Sequence, residues 1–211
     1  MNKISTALIS VWDKSSLDIL AKKLIEVGIE IISSGGTAKF LRENGIQVKD
    51  VSDITGFPEM LDGRVKTLHP KIHAGILAIR NNNQHIVDLE NQSINPIDLV
   101  IVNFYPFEKT IENKDVAFQE VIENIDIGGP TIVRAAAKNF QDVSVVVDTS
   151  DYEILISKIS NGILTMDKEL NYNLAKKAFS YVAKYDAVIS NHLGILNLDN
   201  SKNKMPETLT L

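Results

Sequence analysis

The chain has 211 residues, 44% of them apolar, carries 22 Lys and Arg against 27 Asp and Glu, and contains no cysteine. That length suits one domain with at most an appendage. The missing cysteine excludes a disulfide framework, cysteine-held zinc, iron–sulfur clusters and thiol catalysis, and the net charge of −5 argues against a protein that coats a nucleic-acid duplex.

The opening Met1–Thr6 is polar, and no apolar run approaches the roughly 20 residues of a membrane helix. A soluble cytoplasmic protein with no membrane partner is expected. Residues 4–11 read as a buried strand. Asp13 then caps a helix whose Leu17, Leu20, Ala21, Leu24 and Ile25 fall at helical spacing, and Gly28 ends it. A second strand, Ile29–Ile32, leads through Ser33-Ser34-Gly35-Gly36-Thr37 into a short helix that Gly45 terminates. A third strand starts at Ile46. The order β-α-β-α-β with short connections predicts a parallel sheet with helices on its faces.

Ser52–Pro70 is irregular, and loops of that length are usually functional or disordered. Ile54, Phe57, Met60 and Leu61 argue against disorder. Asp98–Phe104 is almost continuously apolar, as a central parallel strand is. Val116–Ile125 reads as an amphipathic helix. Gly128-Gly129-Pro130 opens another that runs to Asn139, with Pro where its missing N–H costs nothing. Val143–Val147 is the fifth strand, Ser150–Ile159 is helical, and a long final helix ends near Gly194. The predicted class is a three-layer α/β/α domain with a mainly parallel five-stranded sheet, its core over about residues 4–148. Helices fill 150–194, and a mostly polar linker or tail fills 195–211.

Ligands of open α/β sheets bind outside the carboxyl ends of the strands. Ser10, Trp12, Asp13 and Lys14 follow the first strand; Ser34, Gly35, Gly36 and Thr37 follow the second; Asn103 and Tyr105 follow the fourth. Between a strand and a helix, Ser-Gly-Gly-Thr offers backbone N–H groups, hydroxyls and a helix start to a phosphate, and Lys14 could close on it. A tight turn with a capping Thr explains the same residues. Neither a Walker motif nor GxGxxG is present. Arg64, Lys66 and His69 put three cationic groups close together, either as an oxyanion site or as a solvated basic turn. His69 and His73 are four apart, but Pro70 follows the first and the Glu of a zinc helix is missing, so a packed His at the start of a helix is the better reading. Asp126 precedes a helix start, as a cap or as a free carboxylate. Lys138 lies about 18 Å along a straight helix from it, so a contact would need a folded-back loop.

Taken in order, Ala7–Val11, Ser34–Thr37, Thr55–Met60, Gly63–Pro70, His73–Leu77, Asn103–Phe107, Ile125–Pro130 and Arg134–Asn139 closely resemble the inosine monophosphate cyclohydrolase domains that open the bifunctional formyltransferase/cyclohydrolases of purine biosynthesis. The similarity covers about residues 4–194. It implies a methylglyoxal-synthase-like fold and closure of a formamidoimidazole carboxamide ribonucleotide to inosine monophosphate with loss of water. No cofactor and no metal are implied. The implied partners are the nucleotide substrate and a formyltransferase domain; a homodimer is allowed, and nucleic acid is not involved.

The resemblance further implies a phosphate among Trp12, Asp13, Lys14, Ser34, Gly35, Gly36 and Thr37. Ser10, Arg64, Thr67, Asn103, Ile127 and Gly128 would line the rest of the substrate pocket. Lys66 would meet the developing oxyanion, Asp126 would remove a proton, and Tyr105 and Lys138 would orient groups or relay protons. Trp12 departs from the family, which usually has a small residue there, often Ser, so a hydroxyl contact at that position is lost. Two rivals share the phosphate turn: a methylglyoxal synthase, which would not need Arg64–Pro70, and a regulatory nucleotide-binding module, which would not need Lys66, Tyr105, Asp126 and Lys138 together.

Overall fold

A computed structural model of the chain describes residues 2–61, 65–112, 116–160, 162–196, 205–206 and 208–210. In chain order, β1 (Asn2–Lys3) precedes β2 (Thr6–Val11), α1 (Leu17–Glu26), β3 (Glu30–Ser33), α2 (Gly35–Glu43) and β4 (Lys49–Asp50). There follow α3 (Val51–Thr55), α4 (Pro70–Leu77), α5 (Asn83–Asn91), β5 (Leu99–Asn103), α6 (Phe107–Glu112), α7 (Phe118–Glu123) and α8 (Gly128–Lys138). The chain continues through β6 (Ser144–Val146), α9 (Tyr152–Ser157), β7 (Ile159–Ser160), β8 (Ile163–Met166) and α10 (Lys168–Ile195).

The main sheet has the order β4-β3-β2-β5-β6 and is parallel throughout. Alternation along the strands splits the core into two layers. Leu8, Val100, Val102 and Val145 face Ile72 and Ile76 of α4, Ile132 and Ala136 of α8, and Ala178 and Val182 of α10. Ala7, Ile9, Ile31, Leu99 and Ile101 face Leu17, Leu20 and Leu24 of α1, Leu41 of α2 and Leu155 of α9. Strand residues buried on both sides explain why these strands read as unbroken apolar runs. The expected α/β/α layering is the observed one.

Several local expectations are revised. Residues 46–48 precede β4, which pairs with β3 only through its two residues. The segment 52–70 contains most of α3 and an antiparallel bridge between Met60 and Val65. The sequence reading missed α5, whose start is capped by Asn82 accepting from Gln84 N and His85 N. It also missed a small antiparallel sheet, β1-β8-β7, and Ile159, expected as helix, is strand. In the expected tail, Thr210 is gripped by Asn191: Nδ2 donates to its carbonyl and Oδ1 accepts its N–H, both at 2.8 Å. No described helix is long and apolar enough to cross a membrane.

Candidate active site

A cleft of about 650 Å³ opens at the carboxyl ends of β2, β3 and β5, where the strand order turns. On one side lie Ser10, Trp12 and Lys14 after β2, with Ser34, Gly36 and Thr37 after β3. On the other lie Lys66, Thr67, Asn103, Tyr105 and the segment Asp126, Ile127 and Gly128. Most of the expected site is therefore gathered in one place from separate loops.

The turn after β3 has the features of an anion site. Ser34 is 8% exposed, and its Oγ is buried without a hydrogen-bond partner among the described residues. Gly35, at the start of α2, has φ +52, a value that favours glycine. A Cβ there would sit 3.3 Å from Lys66 Nζ, so the ammonium lies against the helix start. An ammonium and the positive end of a helix repel each other unless an anion lies between them. Thr37 differs from its expected part: its hydroxyl donates to the Val11 carbonyl and accepts the Val11 N–H, each at 3.0 Å. It ties α2 to the end of β2 and has no hydrogen left for a phosphate.

Asn103 is likewise committed to the backbone. Its Oδ1 accepts from Trp12 N and Asp13 N at 2.8 Å, and its Nδ2 donates to the Asp13 carbonyl at 3.3 Å. It shapes the loop after β2 and keeps one N–H for a ligand. Lys14 Nζ donates to the Trp12 carbonyl at 3.2 Å. Trp12, 42% exposed, stands edge-on to Tyr105 with centroids 5.2 Å apart, and Lys109 Nζ lies 4.8 Å from its ring centre.

Asp126 starts α8 as a cap: Oδ1 accepts from Gly129 N at 2.9 Å, while Oδ2 has no partner among the described residues. The two glycines that follow it are required by close approach. A Cβ on Gly128 would lie 2.8 Å from Thr67 Oγ1, and one on Gly129 would lie 2.6 Å from Asp126 Oδ2 and 2.7 Å from Phe104. The sequence reading missed what holds this wall. Tyr185 Oη accepts the Asp126 N–H at 2.8 Å, and Tyr181 Oη accepts the Phe104 N–H at 3.0 Å. Burial pushes Tyr185 up to about 12 and raises Tyr181 as well. The available signal was two tyrosines one turn apart beside the apolar stripe of the final helix, since buried tyrosine hydroxyls usually find partners. The lining residues Ile122, Glu123 and Asn124 were also missed, and nothing in their types marks them.

Three expectations need correction or fall elsewhere. Asp13 points away from this cleft: its Oδ1 accepts from Ser15 Oγ at 2.6 Å and Ser15 N at 2.9 Å, which lowers its pKa. It does not cap α1, because Ser16 intervenes. Lys138 is exposed in the last turn of α8, about 15 Å along the axis from Gly128, so within one chain it does not reach the cleft. Arg64 lies outside the described residues. His69 caps α4 through Nδ1, accepting from Lys71 N at 3.2 Å, and burial lowers His73. Among the described residues no group of three His, Asp or Glu side chains is placed to hold a metal.

The family model for the MGS-like domain matches residues 17–131, more than half of the chain. The chain belongs to the MGS-like domain family. A second family model, described as the AICARFT/IMPCHase bienzyme, matches residues 136–211. The MGS-like chain is 51% identical, over 97% of its length, to the bifunctional purine biosynthesis protein PurH of Bacillus cereus strain G9842, and 50% identical to that of Bacillus mycoides strain KBAB4. It spans 39% of the length of both relatives. A solved structure titled "Crystal structure of ForH" superposes with a TM-score of 0.73 at 31% identity, covering 88% of this chain and 96% of that one. The MGS-like fold expected from the motifs is thereby established.

Proposed function

We propose that the chain is an inosine monophosphate cyclohydrolase, closing 5-formamidoimidazole-4-carboxamide ribonucleotide to inosine monophosphate with release of water. The observation that carries this reading is the convergence on one turn of the partnerless Ser34 hydroxyl, the start of α2 and the Lys66 ammonium. Across the same cleft lies a carboxylate with a free oxygen, Asp126. The two ends are linked through neighbouring residues: Thr67 lies against Gly128 while Lys66 reaches Gly35.

The chemistry fits such a cleft. The attacking carboxamide nitrogen and the formyl carbon are already on one molecule, so the protein must select rotamers rather than bring reactants together. In the proposed arrangement Ser34, the amides of Gly35 and Gly36, and Lys14 hold the phosphate. The poorly nucleophilic amide gives its proton to Asp126 Oδ2. As the nitrogen bonds to the formyl carbon, its oxygen gains charge that Lys66 meets and takes up one proton, with Tyr105 as the nearby hydroxyl. The C–O bond then breaks as the formamido nitrogen gives up its N–H and forms the new C=N bond, so the departing water carries two protons that balance the one lost from each nitrogen. No electron transfer occurs, so no redox cofactor is called for. Relatives named as bifunctional and the bienzyme match at 136–211 support a formyltransferase domain as the partner that makes this substrate.

The test is absorbance-monitored conversion of the formamido ribonucleotide by the purified chain, with chelator present and no folate. Ring closure under those conditions is expected. Tight nucleotide binding without turnover would instead make the chain a regulatory nucleotide-binding module.

A further inference from the structure

We propose that Tyr181 and Tyr185 are positioning residues for the chemical step, holding the loops that carry Tyr105 and Asp126 in register through their hydroxyls. This inference rests on the cyclohydrolase reading above.

The two tyrosines are one turn apart on α10, a helix of 28 residues that packs on α8 and beside β6. Each hydroxyl accepts a backbone N–H from a different loop: Phe104, next to Tyr105, at 3.0 Å, and Asp126 at 2.8 Å. Both rings also hold Phe104, with centroids 4.7 Å and 5.0 Å away. One rigid turn therefore sets the distance between the loop after β5 and the loop before α8. Asp126 is fixed from both ends, its N–H by Tyr185 and its Oδ1 by Gly129 N. The missing side chain of Gly129 leaves Oδ2 its place. Few degrees of freedom remain for that oxygen. A carboxylate that takes a proton in the transition state is sensitive to its placement, whereas a nucleotide held mainly by its phosphate at the far turn is not. The hydroxyls should thus matter to turnover more than to affinity.

The test compares Tyr185→Phe, Tyr181→Phe and Tyr152→Phe. Tyr152 is the control: it is buried as Tyr185 is, but its hydroxyl has no hydrogen-bond partner among the described residues. For folded protein, kcat of Tyr185→Phe should fall by about tenfold to a hundredfold, the cost of small misplacements. KM and inosine monophosphate affinity should stay at the wild-type values. Tyr181→Phe should show the same split, and it carries the test if Tyr185→Phe does not fold. Tyr152→Phe should keep the wild-type kcat. Adding Tyr185→Phe to Asp126→Asn should cost nothing further. Wild-type kcat in both brace variants, or a loss fully additive with Asp126→Asn, would overturn the proposal. A wild-type chain that binds the nucleotide without closing the ring would overturn the reading beneath it instead.

Discussion

The Thr37 hydroxyl is bonded twice to Val11, to its carbonyl and to its N–H, both at 3.0 Å. Three residues earlier, the Ser34 hydroxyl is buried with no partner among the described residues. Two hydroxyls of one turn thus differ: one is spent within the fold and the other is left open to the ligand proposed above. Ser34→Ala should weaken inosine monophosphate binding by about 1.5–3 kcal/mol, the range for a hydrogen bond to a charged group, with no loss of thermal stability. Thr37→Ala should instead lower the melting temperature, because it leaves a buried Val11 N–H and carbonyl unpaired. Titration calorimetry paired with thermal unfolding separates them; equal melting losses in the two variants would contradict the assignment.

Gly129→Ala should be damaging although the change is one methyl group. The added Cβ would lie 2.6 Å from Asp126 Oδ2 and 2.7 Å from Phe104 Cδ1. Either the carboxylate or the Phe104 ring has to move, and both belong to the same wall. Ring-closing kcat should fall by about a hundredfold, with nucleotide affinity less affected. Steady-state kinetics with the formamido ribonucleotide checks this, and a wild-type kcat would show that the carboxylate has room to spare.

The Asp148 carboxylate gives a pH signature away from the cleft. The Lys177 ammonium 2.9 Å away, helped by the Ser150 N–H, holds its pKa down to about 2. In the unfolded chain it titrates near about 3.9. The folded pKa is the lower one, so its contribution is present above about pH 4 and is lost as pH falls toward 2. The pair is partly exposed and solvent-screened, so the effect is on the order of 1 kcal/mol at most. Lys177→Met should therefore destabilise the chain at neutral pH and narrow the stability gap to wild type on acidification. Urea unfolding at pH 7 and pH 2.5 reads this out; a gap independent of pH would contradict it.

Much of the architecture was legible because the strands are buried on both faces. Runs such as Leu99–Val102 have no polar interruption, and α1 has a clean apolar stripe. Short elements were not legible: β4 and β7 have two residues each, β7 pairs with β8 in a small hairpin, and β1 pairs with β8 from the other end of the chain. Residues that announce themselves by type, such as Ser34, Lys66 and Asp126, stood out in the sequence and lie along the cleft. Their division of labour was not, because whether a hydroxyl or carboxamide faces a ligand or the backbone depends on tertiary contacts. Asn103 and Thr37 show this: both line the cleft, yet both are bonded chiefly to the main chain after β2. Tyr181 and Tyr185 lay hidden in a helix that reads simply as packing.

The central claim is that the cleft closes the ring with Asp126 as the base, and single-turnover kinetics of Asp126→Asn tests it most directly. The substitution keeps an oxygen able to accept the Gly129 N–H at the cap, so the fold of the wall should survive. The account predicts that the variant binds inosine monophosphate as the wild type does and closes the formamido ribonucleotide at least about a hundredfold more slowly, as for loss of general-base catalysis. Ring closure by Asp126→Asn at the wild-type rate would contradict it.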